Sequence, residues 1–192
     1  MRGYGSPRPA LVIIDVQKAI DHPDWARHGP RNHPEAEARM AQLLGEWRSR
    51  ALPIYHVRHD SREPGSHYRP GQTGNDFKRV VTPLADEGII AKQTNSAFIG
   101  TGFEERLRNA GHTVLVIAGV ITNNSVEATV RMAGNLGFNT YLAEDATFTF
   151  GRKDWRGTWR TADEVHAMSP ANLDAEYCSV APTRTILDAV ER

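Results

Sequence analysis

The 192-residue chain holds one cysteine, Cys178, so no intrachain disulfide can form. That residue sits in Tyr177-Cys-Ser-Val180, which reads as a strand, and unpaired cysteine is among the most buried residue types. Cys178 is therefore expected to fill the core. The chain also has no excess of either charge: 23 Lys and Arg balance 23 Asp and Glu. This removes the electrostatic reason to expect nucleic acid or an anionic membrane as partner. Long apolar runs are missing too. The longest, Val114 to Ile121, falls far short of the roughly 20 residues that span a bilayer. The segment Met1 to Pro9 is rich in Gly, Pro and Arg and has no apolar core of the secretory type. A cytoplasmic protein with a small-molecule partner is the expectation.

What is present is a strand followed by a helix, again and again. Ala10 to Ile14 is a short continuous apolar run, as expected for a strand buried on both faces. Ala36, Met40, Leu43, Leu44 and Trp47 repeat at helical spacing, and Pro53 closes that segment. Further strands are read at 54–57, 89–91, 113–118, 140–142 and 178–180. Further helices are read around Phe103, Leu107 and Ala110, around Val126, Val130 and Ala133, and over 162–173 and 183–190. There is no internal repeat and no low-complexity linker. The pattern predicts a single α/β domain over 1–192, with a six-stranded, mostly parallel sheet between two helical layers.

In such sheets ligands sit beyond the carboxyl ends of the strands. Asp15 follows the first strand, where a carboxylate serves either as general acid or base or as a turn cap. The second strand runs into His56-Val-Arg-His-Asp60, with His67 further on. Histidine and carboxylate are ordinary zinc ligands, but this spacing matches no closed-site pattern. Lys92 ends the third strand, either as a solvated charge or as a group that steadies an anion. The fourth strand turns into a helix through Thr122-Asn-Asn-Ser125. Ser125 is placed there as a nucleophile beside free N–H groups. Alternatively the four residues are helix caps, and Asn124 and Glu127 have capping-box spacing.

Together these segments resemble the isochorismatase-like cysteine hydrolase superfamily. The resemblance rests on Leu11-Val-Ile-Ile-Asp-Val-Gln17, on Lys92 with Ser96-Ala-Phe98, on Gly119 through Arg131, and on Gly137 through Ala146. It implies the family's Rossmann-like three-layer fold and a homodimer or homotetramer. It also implies hydrolysis of a small amide, urea or carbamoyl C–N bond, as by nicotinamidases and by N-carbamoylsarcosine and ureidoacrylate amidohydrolases. Carried over by position, the catalytic residues are Asp15, Lys92 and residue 125, and the N–H groups of Ile121 and Ser125 form the oxyanion hole. A cis peptide is implied between Val120 and Ile121. The family amidases have cysteine where this chain has Ser125, and the expectation is an engineered Cys→Ser form that is slow or inactive. The alternatives are an isochorismatase-type vinyl ether hydrolase with Asp15 as acid, and a non-catalytic binding homologue.

Residues expected to meet substrate are Gln17, His56, Arg58, His59, Phe98, Trp155 and Trp159. The last two belong to a loop over 148–162, which with a second loop over 61–76 is placed to gate the pocket. No cofactor is expected. No metal is expected either, since nicotinamidases carry Asp-x-His after the second strand and here His59-Asp60 stands in the opposite order. His166 is a further helical histidine, within reach of the pocket or simply structural.

Overall fold

A computed structural model describes residues 8–27 and 29–190. The opening segment read above as lacking a secretory core lies largely outside them. The strands are β1 (Ala10–Ile14), β2 (Ile54–His59), β3 (Gly88–Lys92), β4 (Val114–Val120), β5 (Asn139–Phe148), β6 (Arg152–Lys153), β7 (Trp159–Arg160) and β8 (Ser179–Ala181). The helices are α1 (Pro23–Ala26), α2 (Ala36–Ser49), α3 (Phe103–Asn109), α4 (Glu127–Asn135), α5 (Ala162–Leu173) and α6 (Thr183–Val190). Six strands form one sheet in the order β3-β2-β1-β4-β5-β8, every neighbouring pair parallel. β6 and β7 make a separate antiparallel ribbon.

The sheet is covered on both faces, which explains the unbroken apolar run of β1. Leu11 and Ile13 pack with Met40, Leu43, Leu44 and Trp47 of α2 and with Ile186 of α6. Ala10, Val12 and Ile14 point the other way, onto Phe103 and Leu107 of α3, Val130 and Ala133 of α4, and Leu173 of α5. Cys178 belongs to this second cluster, and burial pushes its thiol up to about 12. Among the described residues no helix is long and apolar enough to cross a membrane.

Several strands run past their apolar segments. β2 continues through Arg58 and His59, and β3 reaches Lys92, so three polar side chains end up at the carboxyl edge. β5 is the largest departure, with ten residues where three were read. Its register against β4 shifts between Ile117 and Gly119, and the strand resumes to Phe148. The acidic pair that interrupts the apolar pattern, Glu144-Asp145, lies at this irregularity. Asp145 Oδ1 accepts from the N–H and hydroxyl of Thr183 at the start of α6.

Candidate functional site

Asp15 leaves β1 with φ 54°, a left-handed backbone that Asp tolerates better than most residues. Its N–H donates to Val57 O at 2.9 Å, which fixes it against β2. On the other side Gly119 lets β4 approach, since a Cβ there would collide with the backbone of Ile14. Lys92 comes from the end of β3, and its side chain is fully buried. Ser125 comes from a π-helical turn, Thr122–Val126, between β4 and α4. Such turns recur at functional positions because they re-aim one side chain without ending the helix. The capping box read from Asn124 and Glu127 does not form: no side chain caps this turn. Glu127 instead accepts from Arg131 and from Ser169 at 2.6 Å. The Val120–Ile121 peptide is cis.

Lys92 Nζ donates to Asp15 Oδ2 at 2.6 Å and to Ser125 Oγ at 3.3 Å. Its third donor reaches Thr94 O at 3.1 Å. The other carboxylate oxygen, Asp15 Oδ1, is buried with no hydrogen-bond partner. Burial pushes the Asp15 carboxyl up from its ordinary value, against the opposing pull of the Lys92 ammonium. His59 Nδ1 lies 3.5 Å from Lys92 Nζ. Burial and then the Lys92 charge hold this imidazole below its ordinary pKa, so it is neutral near pH 7.

Asp15, His59 and Ser125 line a cavity of about 190 Å³ together with Trp25, Ser66, Tyr68, Asn95 and Asn124. Tyr68 is buried and its phenol is pushed well above its ordinary value, so it keeps its proton. A neighbouring cleft of about 570 Å³ shares Trp25, Ile121 and Asn124 and extends to Phe150, Arg152 and Trp159. Both loops read as gates therefore reach the site, through Ser66 and Tyr68 on one side and Phe150 and Trp159 on the other. Phe150 stacks on Trp25 at 5.8 Å. Sequence patterns missed Trp25, whose α1 is a single turn; the available signals were Pro23 at its first position and His22 as its cap.

Of the residues expected to meet substrate, His59 lines the inner cavity and Trp159 the outer cleft. The others sit elsewhere. Gln17 is fully buried, accepts from His59 N at 2.7 Å and donates to Asn75 O at 2.8 Å, so it staples β1 to β2. His56 faces the opposite side of the sheet from His59, and its ring pairs with Glu87 at 2.7 Å. Arg58 forks onto Asp60 at 2.8 and 3.0 Å. Phe98 stacks among Phe103 and Phe138 in the second core cluster. Trp155 is 90% exposed, with the Arg156 guanidinium over its ring. The strand-end histidines thus do not converge: His56 is turned away from His59, and His67 stacks on His22.

Residues 9–170 match the isochorismatase domain. The chain is 39% identical over 181 residues to the uncharacterized isochorismatase family protein YrdC of Bacillus subtilis, covering 94% of this chain and 95% of that protein. It is 31% identical over 144 residues to a streptothricin hydrolase of Streptomyces noursei, which takes in 73% of this chain and half of that protein (50%). A crystal structure of an isochorismatase family protein from Chromobacterium violaceum has a TM-score of 0.93 and 60% identity, covering 98% of this chain and 96% of that one. A domain match over most of the chain, with two likenesses that run nearly end to end, makes this protein a member of the isochorismatase family of hydrolases.

Proposed function

We propose that the site is built to hydrolyse a small amide, urea or carbamoyl C–N bond through a covalent acyl intermediate on residue 125. The observation that carries this reading is the buried Lys92 ammonium bonded at once to Asp15 and Ser125, with Asp15 Oδ1 left free. Lys92 occupies one lone pair of Ser125 Oγ, and the orphaned Oδ1 is the acceptor for the proton of residue 125. In the proposed reaction Asp15 takes that proton as Oγ, or Sγ in a cysteine form, attacks the carbonyl. The tetrahedral oxyanion is held by the N–H groups of Ile121 and Ser125. Collapse breaks the C–N bond, and Asp15 returns the proton to the leaving nitrogen. Water, deprotonated by Asp15, then attacks the acyl carbon and releases the acid with residue 125 restored. The similarity to a streptothricin hydrolase agrees with amide chemistry, and the inner cavity of about 190 Å³ favours a small reacting group.

Serine weakens this scheme as an amidase. A helix terminus contributes at most about 2 kcal/mol, or about 1.5 pKa units, too little to ionise a hydroxyl near neutral pH. We therefore expect Ser125→Cys to raise the rate on at least one member of an amide, urea and carbamoyl panel by at least about 100-fold. The amidase reading fails if the cysteine form cleaves none of them.

One observation favours a second reading. A carboxyl pushed up by burial, with no thiol beside it, suits protonation of a vinyl ether such as isochorismate by Asp15. Turnover of isochorismate by the serine protein, unimproved in Ser125→Cys, would select this reading. Tight binding of one panel compound with no turnover by either form would select a binding role.

A further inference from the structure

Behind the nucleophile turn, three side chains from distant segments converge: His33 ahead of α2, Glu144 of β5 and His166 of α5. We propose that they form a divalent transition-metal site of the zinc class, separate from the catalytic pocket and independent of the hydrolase reading above. The candidate ligand atoms all lie within 4.8 Å of one another.

Hydrogen bonds set the orientation of both rings. His33 Nδ1 is 3.0 Å from Thr147 O; a carbonyl only accepts, so Nδ1 carries the proton. For His166 the proof runs through two hydroxyls. Thr147 donates to Glu144 O at 2.8 Å, so it must accept at 3.1 Å from Thr122. Thr122 has then spent its proton and must accept at 3.0 Å from His166 Nδ1. Both imidazoles thus donate through Nδ1 to the protein and turn Nε2, which is bare in the neutral ring, toward the same carboxylate. That is the arrangement of metal-bound histidines, in which the far nitrogen is held by an outer hydrogen bond.

The spacing points the same way. Glu144 Oε2 is 3.7 Å from His166 Nε2 and 3.9 Å from His33 Nε2. Both gaps exceed a hydrogen bond of about 2.7–3.2 Å. A tetrahedral zinc with bonds of about 2 Å holds its ligand atoms about 3.3 Å apart, so small rotations of these side chains onto the ion would close both gaps. His166 is only 6% exposed, and its Nε2 has no hydrogen-bond partner. A buried polar atom left unpaired is costly, and an ion would satisfy it. The side chains of His33 and Glu144 are about 30% exposed, giving the ion a path in and room for water as a further ligand. Two imidazoles with one carboxylate suit zinc better than magnesium or calcium, which prefer all-oxygen sites. Through Thr122 the ion would brace the turn that presents Ser125, so these three residues act on the turn by positioning.

The test is calorimetric titration of the full chain, stripped with chelator, with Zn²⁺ and separately with Mg²⁺. One Zn²⁺ per chain is expected, with no Mg²⁺ binding at the same concentrations. Zn²⁺ should also raise the melting temperature. His33→Ala and Glu144→Gln, both at partly exposed positions, should each weaken binding by more than about tenfold while circular dichroism stays unchanged. His67→Ala serves as the control, because His22, Asp24 and His67 form the other such cluster among the described residues. It should leave affinity unchanged. The proposal is overturned if the protein shows no saturable Zn²⁺ binding, if His33→Ala and Glu144→Gln bind undiminished, or if His67→Ala alone abolishes binding.

Discussion

Two carboxylates at strand ends on either side of β2, Asp15 after β1 and Glu87 before β3, have been driven in opposite directions. Glu87, one residue before β3, accepts from Arg48 through both oxygens, at 2.7 and 3.0 Å, from Leu84 N at 2.9 Å and from His56. Burial opposes its ionisation, yet Arg48, the Leu84 N–H and His56 outweigh it and bring its pKa down to about 2. Asp15 has one cation, one bonded oxygen and one orphan, and burial wins. The difference lies in how completely each group's lone pairs are met. A satisfied carboxylate is committed to holding β3 and α2 together. An unsatisfied one keeps a basic oxygen free in a cavity, which is what proton transfer requires.

The largest effect should come from removing the free oxygen. In the Ser125→Cys background, Asp15→Asn should lower turnover by about 10²- to 10⁴-fold, measured by steady-state kinetics under conditions where circular dichroism shows the variant folded, because the buried Lys92 ammonium loses its counter-ion. Retained turnover would show that Asp15 is as structural as Glu87. For Glu87→Gln the effect should fall on stability. A fall in pKa from 4.5 to about 2 corresponds to about 3 kcal/mol of stability at neutral pH. This contribution is present above the unfolded value near 4.5 and is lost as pH falls toward 2. Urea midpoints between pH 6 and 3 should therefore drop more steeply in the native protein than in Glu87→Gln. Equal slopes would remove Glu87 from that side of the contrast.

Asp15 offers a subtler pH readout. As a general base it must be ionised, so kcat/KM for an amide should rise through an acid limb lying above the ordinary carboxylate range. As a general acid on a vinyl ether it must be protonated, and activity should fall as pH rises through the same region. A limb within the ordinary carboxylate range would contradict the raised carboxyl.

Much of this arrangement was legible in the sequence, for identifiable reasons. The boundaries of β1, α5 and α6 agree with apolar periodicity and with punctuation by Pro9, Thr161 and Pro182. Asp15, Lys92 and Ser125 could be singled out because each follows a strand, and parallel strands deliver their carboxyl ends to one edge. Alternation along β2 is equally strict, yet periodicity alone does not say which of its faces meets the cavity, so His56 and His59 were indistinguishable. Glu87 escaped notice because its side-chain partners lie 31 and 39 positions away and leave no local pattern. Tyr68 and Asn95 come from irregular loops, whose placement depends on what they pack against. Glu144 and Asp145 disguised the second half of β5, because sequence alone gives no sign that their side chains are met by His33, His166 and Thr183 across the fold.

The smallest effect is expected where the same pair of residue types meets in water. Lys18 Nζ lies 2.9 Å from Asp76 Oδ2, a geometry close to that of Lys92 and Asp15, but the two side chains are 47% and 61% exposed. An exposed pair gains little, because solvent screens the attraction and ordering two side chains costs entropy. Asp76→Asn should therefore shift unfolding stability by less than about 0.5 kcal/mol, and adding salt should shrink even that difference. A loss comparable to that of Glu87→Gln would mean that ion pairing alone sets the scale of these effects. The contrast between Asp15 and Glu87 would then need a cause other than desolvation and the supply of hydrogen-bond donors.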